Sequence, residues 1–392
     1  LQAAIDAGSV DPRADSFGNL LGAPVTDSAR VTSQTLNNLA TISGSLLNLP
    51  SGTVTTTVRA GYNRENLDSR ETRRGIATTT DLGRDKLSTG ISIDIPLADE
   101  NIDVVEAIGK LSVNGNLGYA DLSDFGGLVE FGFGLNWEPF DGLVFTASAI
   151  GEEAAPGIAQ LGNPVIITPD VTTFDFVNGQ TVLAAITTGG NPALLAEKRR
   201  DIKLAVNYRP EWLDGFSFLG EYFRNNSDNV ASSFPLLTPE IEAAFPDRVT
   251  RDTSGQLVAI DRRPVNYANV RRERIRYGID FSKRFGEQRR GGPGRPDRAA
   301  RASGAAAPGG EPRGEKPADG APPEAGRAER PAGPRGGAGM GGRPSGGRWQ
   351  LSAFHTIRLQ DRITIRNGID ELDLLNGSAV GSSGGSPRHE FE

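Results

Sequence analysis

Residues 199–224 read RRDIKLAVNYRPEWLDGFSFLGEYFR, and their alternation decides the fold class. In the first arm Ile202, Leu204, Val206 and Tyr208 alternate with Asp201, Lys203, Ala205 and Asn207. A period of two puts the two sets on opposite faces of a β-strand. The connection Pro210 to Gly215 begins with a proline, which cannot extend a ladder, and ends in Asp-Gly, where glycine supplies positive φ. The second arm sets Phe216, Phe218 and Tyr222 against Ser217 and Glu221. The stretch predicts a hairpin with one apolar face that something apolar covers, and one charged face that is wet.

The same unit occurs at 129–150, VEFGFGLNWEPFDGLVFTASAI. Val129, Phe131, Phe133, Leu135 and Trp137 alternate with Glu130, Gly132, Gly134 and Asn136, and the turn again carries Pro and then Asp-Gly. A β-sandwich also alternates, but its strands usually run about 5 to 6 residues. These arms run to about ten, the length a tilted strand needs to cross a bilayer.

Composition sets the bounds. The chain has 392 residues, 37% of them hydrophobic, and a net charge of −7. No run approaches the roughly 18 apolar residues of a transmembrane helix. A membrane β-barrel stays open, because there only every second residue faces lipid. The acidic balance argues against a dedicated nucleic-acid binder, and the absence of cysteine excludes disulfides and thiolate metal sites. The chain begins at Leu1 without an initiator Met or a signal region, which predicts a fragment or a processed form.

Taken in order, residues 1–50 read as a loop or irregular lead-in and 51–285 as barrel strands and loops. A disordered insertion is expected over 286–347, and 348–392 hold a further strand and loop, truncated. Within the second segment strands are expected near 53–62, 91–97, 111–119 and 275–281, besides the two hairpins. The last clear strand is 349–358, with a loop-like stretch to Gly385 and another strand starting at Arg388. A connector at 98–109 has room for one helical turn.

Connections alternate between tight, at the two Asp-Gly turns, and long and polar, at 63–85, 151–198 and 225–272. Short turns on one side and long loops on the other describe an antiparallel barrel. Trp137, Trp212 and Trp349 fall at the short-turn ends of their strands, and Tyr62, Tyr119 and Tyr222 at the long-loop ends. Both ring types prefer membrane interfaces, so these six are the expected interface aromatics. The expected lumen-facing polar set is Glu130, Asn136, Asp201, Lys203, Glu221 and Asp280.

Between Phe285 and Trp349 there is no Val, Ile, Leu, Phe, Tyr or Trp, so that segment has nothing with which to build a core. Its Arg-Gly-Gly pieces lack the aromatics that nucleic-acid-binding tails stack on bases. The two histidines, His355 and His389, have no ligand spacing in sequence, and Glu152 and Glu153 are adjacent and point to opposite faces. No catalytic, metal or cofactor site is expected, and no enzyme activity.

The repeated strand–Pro–Asp-Gly–strand hairpins, together with Gly190 to Glu197 (GNPALLAE), resemble the barrel of TonB-dependent outer-membrane receptors. That family carries Gly-Asn-Pro-x-Leu-x-x-Glu before a strand, and here Ala196 stands where it usually has Pro. Asp373 to Gly377 and Ser386 to Glu390 resemble stretches of the same barrels. The resemblance covers residues 50–392 and implies a barrel of about 22 strands with an N-terminal plug, of which about ten or eleven are visible here. It further implies a site in the cell outer membrane, contact with its lipid and with the TonB complex in the periplasm, and uptake of a scarce small-molecule, siderophore, sugar or peptide ligand. The rival readings are a secreted or surface β-rich binding protein and a passive porin.

Overall fold

A computed structural model of the chain describes residues 26–73, 76–99, 108–285, 347–380 and 385–392. The chain divides into two units, one of Leu1–Phe281 with Gln350–Glu392, the other Ser282–Trp349. Most of the second unit, and with it the insertion expected over 286–347, lies outside the described residues, as do 100–107 of the connector.

The first half of the main sheet is a meander: β1 (Ser28–Leu49), β2 (Gly52–Arg73), β3 (Ile76–Ala98), β4 (Lys110–Leu122), β5 (Gly126–Phe140) and β6 (Leu143–Ala154). It continues with β9 (Glu197–Tyr208), β10 (Phe216–Ser232), β13 (Val265–Phe285) and β14 (Gly347–Thr364), and ends in the short β15 (Leu372–Asp373) and β16 (His389–Phe391). The order is β1-β2-β3-β4-β5-β6-β9-β10-β13-β14-β15, with β16 also on β14, twelve strands in all. The pairings from β1 through β13 are antiparallel. Among the described residues the outer edge of β1 has no partner, so the sheet is open there.

Both hairpins form where the alternation places them. Phe140 pairs with Leu143 across the first turn and Phe218 with Tyr208 across the second. Gly142 (φ +86°) and Gly215 (φ +85°) take the left-handed backbone that the Asp-Gly pairs supply.

Three expectations fail for one physical reason. The lead-in is not irregular throughout, because Ser28–Leu49 is a strand of 22 residues. Residues 63–85 are not a loop: β2 runs to Arg73 and β3 starts at Ile76, in continuous register. The last long strand does not stop at Arg358 but reaches Thr364, and β15 and β16 then return along it. In each case the backbone ladder continues through stretches that carry no sustained apolar alternation; Leu67 of β2 and Ile363 of β14 are buried there, but as isolated residues among polar ones. At about 3.3 Å per residue, β2 extends for about 70 Å, more than twice a bilayer's apolar thickness.

The connections 151–198 and 225–272 are also structured. They hold α1 (Ile158–Gly162), β7 (Ile166–Asp175), β8 (Gln180–Thr188), α2 (Pro239–Ala244), β11 (Val249–Arg251) and β12 (Leu257–Asp261). The four strands form a second sheet, ordered β11-β12-β8-β7. Its Val182, Ala184, Ile186, Leu257 and Ile260 join Leu237, Ile241 and Phe245 with Val265, Val270 and Ile363 of β13 and β14 in a buried core, where Leu257 and Ile260 are 0% exposed. We call this part the cap.

Candidate functional site: a charged sheet face beneath a folded cap

The register of the main sheet sorts side chains into two faces. On one, Val58 pairs with Ile91, Ile91 with Leu117, and Leu117 with Phe131. Further along, Leu135 pairs with Ala147, Ala147 with Leu204, Leu204 with Tyr222 and Tyr222 with Ile275. Among the described residues this face is half-buried to exposed, with Val58, Ile91, Leu117, Phe131 and Leu204 all exposed. Leu117 is 57% exposed, Phe133 65% and Leu351 68%.

The six expected lumen residues all fall on the opposite alternation, and each has a polar neighbour. Glu130 accepts from Asn116 Nδ2 at 3.4 Å, and Asn136 Oδ1 accepts from Thr146 Oγ1 at 3.2 Å. Asp201 accepts from Asn225 Nδ2 at 2.6 Å and lies 3.2 Å from Arg199 Nε. Lys203 pairs with Glu221 at 2.7 Å, and Asp280 accepts from Ser352 Oγ at 3.1 Å. Arg199 reaches Glu152 at 3.0 Å, so β6, β9 and β10 are joined by a row of paired charges. Arg274 lies over the Phe223 ring at 5.0 Å and has no carboxylate partner among the described residues.

The aromatics sort less simply than expected. Trp137 stacks on Phe145 and donates to Ile108 O at 2.8 Å, and Trp212, 77% exposed, sits in the β9–β10 connection. Trp349, also exposed, lies near the start of β14. Tyr62 and Tyr222 do not end their strands, which continue to Arg73 and Ser232. Their hydroxyls donate to Asp85 at 2.6 Å and Glu273 at 2.8 Å. Tyr119, half exposed, lies against Gly127. The tyrosines therefore mark places along strands, and polar strand extends beyond two of them.

The cap is fastened to the charged face at two places. Toward β3, Arg84 is 6% exposed; it grips Asp124 with Nε at 2.9 Å and Nη2 at 2.7 Å, and donates to Pro156 O at 2.9 Å. That ties the start of connection 155–196 to β3, and Leu161 of α1 is buried, as is Leu67 of β2. At the other end the GNPALLAE stretch acquires a physical role. The buried Asn191 donates from Nδ2 to Pro264 O at 2.8 Å and from its backbone N–H to Gln160 O at 2.7 Å. Asn266 holds Leu195 by both backbone groups, accepting at 2.8 Å and donating at 3.1 Å.

Inside the cap, Arg251 bridges two carboxylates. Its Nη1 and Nη2 donate to Asp175 at 2.8 and 2.9 Å, and its Nε and Nη2 to Glu242 at 2.6 and 2.7 Å. The Asp175 side chain is 1% exposed. Arg251's hydrogen bonds hold the Asp175 carboxyl well below the usual range despite its burial, and Glu242 with Asp175 raises the guanidinium. Such a fork is a rigid structural cross-link between β7, α2 and β11. Asp261 is pushed up by burial, but bonds from Arg263 and the charge of Arg248 bring it below its ordinary value.

The sequence reading missed the cap although a signal was present. Asn178-Gly179 between FDFV and QTVLAAITT is a hairpin signal, and it falls in the four-residue turn that joins Asp175 of β7 to Gln180 of β8. Val182, Ala184 and Ile186 alternate behind it and are all buried.

No protein-family profile and no curated protein sequence matches the chain. Solved structures do. A variant of the ferric enterobactin receptor PfeA from Pseudomonas aeruginosa superposes with a TM-score of 0.51 at 13% identity, covering 92% of this chain and 38% of that one. The siderophore receptor PirA from Pseudomonas aeruginosa gives 0.42 at 12% identity, covering 85% and 46%. The RagAB peptide transporter gives 0.44 at 10% identity, covering 86% and 30%. The chain thus spans less than half the length of these solved proteins. The likeness to PfeA shows the fold class: an antiparallel sheet of the transmembrane β-barrel type.

Proposed function

We propose that the chain forms part of an outer-membrane receptor that takes up a scarce ligand with energy passed through a TonB-type complex. The observation that supports this reading is the two-faced sheet. Its exposed apolar face runs in register from Val58 to Ile279, and its other face carries paired charges beneath a folded cap. An apolar surface of that extent, left uncovered by protein, calls for lipid. The charged face then lines a wet interior, with Glu130, Asn136, Asp201, Lys203, Glu221 and Asp280 toward it. In this reading the tight turns at Asp141-Gly142 and Asp214-Gly215 face the periplasm, the cap faces outward, and Trp137, Trp212 and Trp349 lie at the inner interface with the tyrosines toward the outer one.

The ligand class is small-molecule, siderophore, sugar or peptide, and the role is capture and passage without chemistry. Migration on a gel with and without boiling tests the membrane assignment, since a folded barrel-type sheet in detergent runs at a different position from the boiled chain. Extraction of the chain from membranes by alkaline carbonate would instead favour a soluble, surface-bound protein.

A further inference from the structure

We propose that Arg200, Arg224 and Arg271 form a site on the outer wall of the sheet for the phosphate of an anionic lipid headgroup. The site rests on the membrane-spanning reading above and adds to it a lipid of stated charge. Parity places the three arginines on the apolar face of the sheet. Leu204, Tyr222 and Ile275 share one register row on that face, and the arginines follow them by even steps along β9, β10 and β13. Arg200 and Arg271 both pair with Asn226, one from each side, and Arg224 is the neighbouring residue of β10 on the same face. Three guanidinium groups thus surround one amide, and all three arginines are exposed.

The carboxylates at this level are already engaged. Glu153 is 2.7 Å from Lys198, Glu371 is 3.2 Å from Arg362, and Asp228 accepts from Asn269 Nδ2 at 2.7 Å. Glu273, in register with Arg224, accepts from the Tyr222 hydroxyl at 2.8 Å. Arg271 approaches Glu371 at 4.0 Å, and among the described residues no carboxylate lies within 4.0 Å of Arg200 or Arg224. The Asn226 carbonyl oxygen takes a hydrogen from Asn269 Nδ2 at 2.9 Å, which leaves its amide hydrogens as further donors. A guanidinium offers phosphate a planar fork of N–H donors, and several such forks around one point match both the charge and the oxygens of a headgroup phosphate.

The height of the cluster fits a headgroup. On β13 Arg271 lies eight residues beyond Ile279, away from the tight turns. At about 3.3 Å per residue on a strand tilted by about 45°, that is a rise of roughly 19 Å, against a hydrocarbon half-thickness of about 15 Å. With Ile279 at the midplane, Arg271 therefore stands outside the apolar layer. Arg224 follows the interface aromatic Tyr222 by two residues, and long arginine side chains reach from there to the same level. Below the cluster, Ile202 and Leu204 are 43% and 48% exposed and offer apolar contact to acyl chains. A soluble anion would use the arginines alone, whereas a phospholipid uses both parts of the surface.

The test uses the full chain folded in nonionic detergent, with native mass spectrometry to count retained lipid. Dioctanoyl phosphatidic acid is compared with dioctanoyl phosphatidylcholine, whose choline cancels the charge, and inorganic phosphate is added as a competitor. The expected result is one phosphatidic acid held about tenfold more tightly than phosphatidylcholine, and weakened about tenfold in the double variant Arg200→Gln, Arg224→Gln. Arg59→Gln removes the same kind of charge from the opposite alternation of β2 and should leave retention unchanged. Inorganic phosphate at the lipid's concentration should not displace it. Equal retention of the two lipids, an equal loss in Arg59→Gln, or displacement by phosphate would overturn the proposal. Heat-modifiable migration separates this failure from that of the membrane reading. A parent chain that shows it but retains no phosphatidic acid sinks the headgroup site alone, and a parent chain that lacks it sinks both.

Discussion

Asp175 shows how one side chain can hold a structure that its sequence neighbourhood does not announce. Buried and doubly bonded to Arg251, it depends on that guanidinium to remain ionised. Replacing Arg251 by Ala leaves an uncompensated buried carboxylate, and the expected cost is about 3 kcal/mol, at the low end for a broken buried pair because Arg251 and Glu242 keep some access to water. Limited proteolysis should then cut within 165–190 or 249–261 while β9 and β10 stay protected. The sign of the pH dependence follows from the depressed carboxyl. Its contribution is present above the ordinary Asp pKa of about 4 and is lost as pH falls below that range toward the folded value. The cap of the parent chain should therefore loosen under strong acid, and Asp175→Asn should reduce this acid dependence, leaving the share that Asp261 carries. Asn191→Ala belongs to the same scale: it frees Pro264 O and should cost about 1 to 3 kcal/mol, read by the same proteolysis.

Along the strands, the apolar face predicts an asymmetry between neighbours. Phe131→Arg, Leu204→Arg or Ile279→Arg should each cost about 2 to 4 kcal/mol in a lipid refolding titration where the site lies near the bilayer midplane. Arginine at Asn136 or Lys203 should cost much less, and equal costs in the two sets would count against a lipid-facing surface. The same asymmetry explains what was legible in the sequence. Alternation located β5, β6, β9 and β10 because one face is apolar and the other polar there. It failed for β1 and for the outer parts of β2 and β3, where polar pairs such as Asn37 with Asn63 and Asp68 with Asp81 interrupt the apolar period, although Leu67 pairs with Leu82. It failed again for β7 and β8, whose short alternation sat inside a long connection rich in Thr and broken by Pro169 and Asn178-Gly179. The polar residues of the charged face were legible from strand parity alone. Their pairing was not, because Lys203 with Glu221 and Arg199 with Glu152 depend on which strands become neighbours, and β6 pairs with β9 across a connection of more than forty residues.

For the whole molecule, the central claim is that the sheet crosses a membrane with the cap on one side and the Asp-Gly turns on the other. The absence of cysteine makes this directly measurable with single substitutions. Thr253, in the β11–β12 turn, and Asp214, in the β9–β10 turn, are both exposed and lie at opposite ends of the strands. Thr253→Cys should react with a membrane-impermeant thiol reagent on intact cells, and Asp214→Cys should react only after the outer membrane is opened. Labelling of Asp214→Cys alone on intact cells would reverse the orientation, and labelling of both would contradict a membrane-spanning sheet.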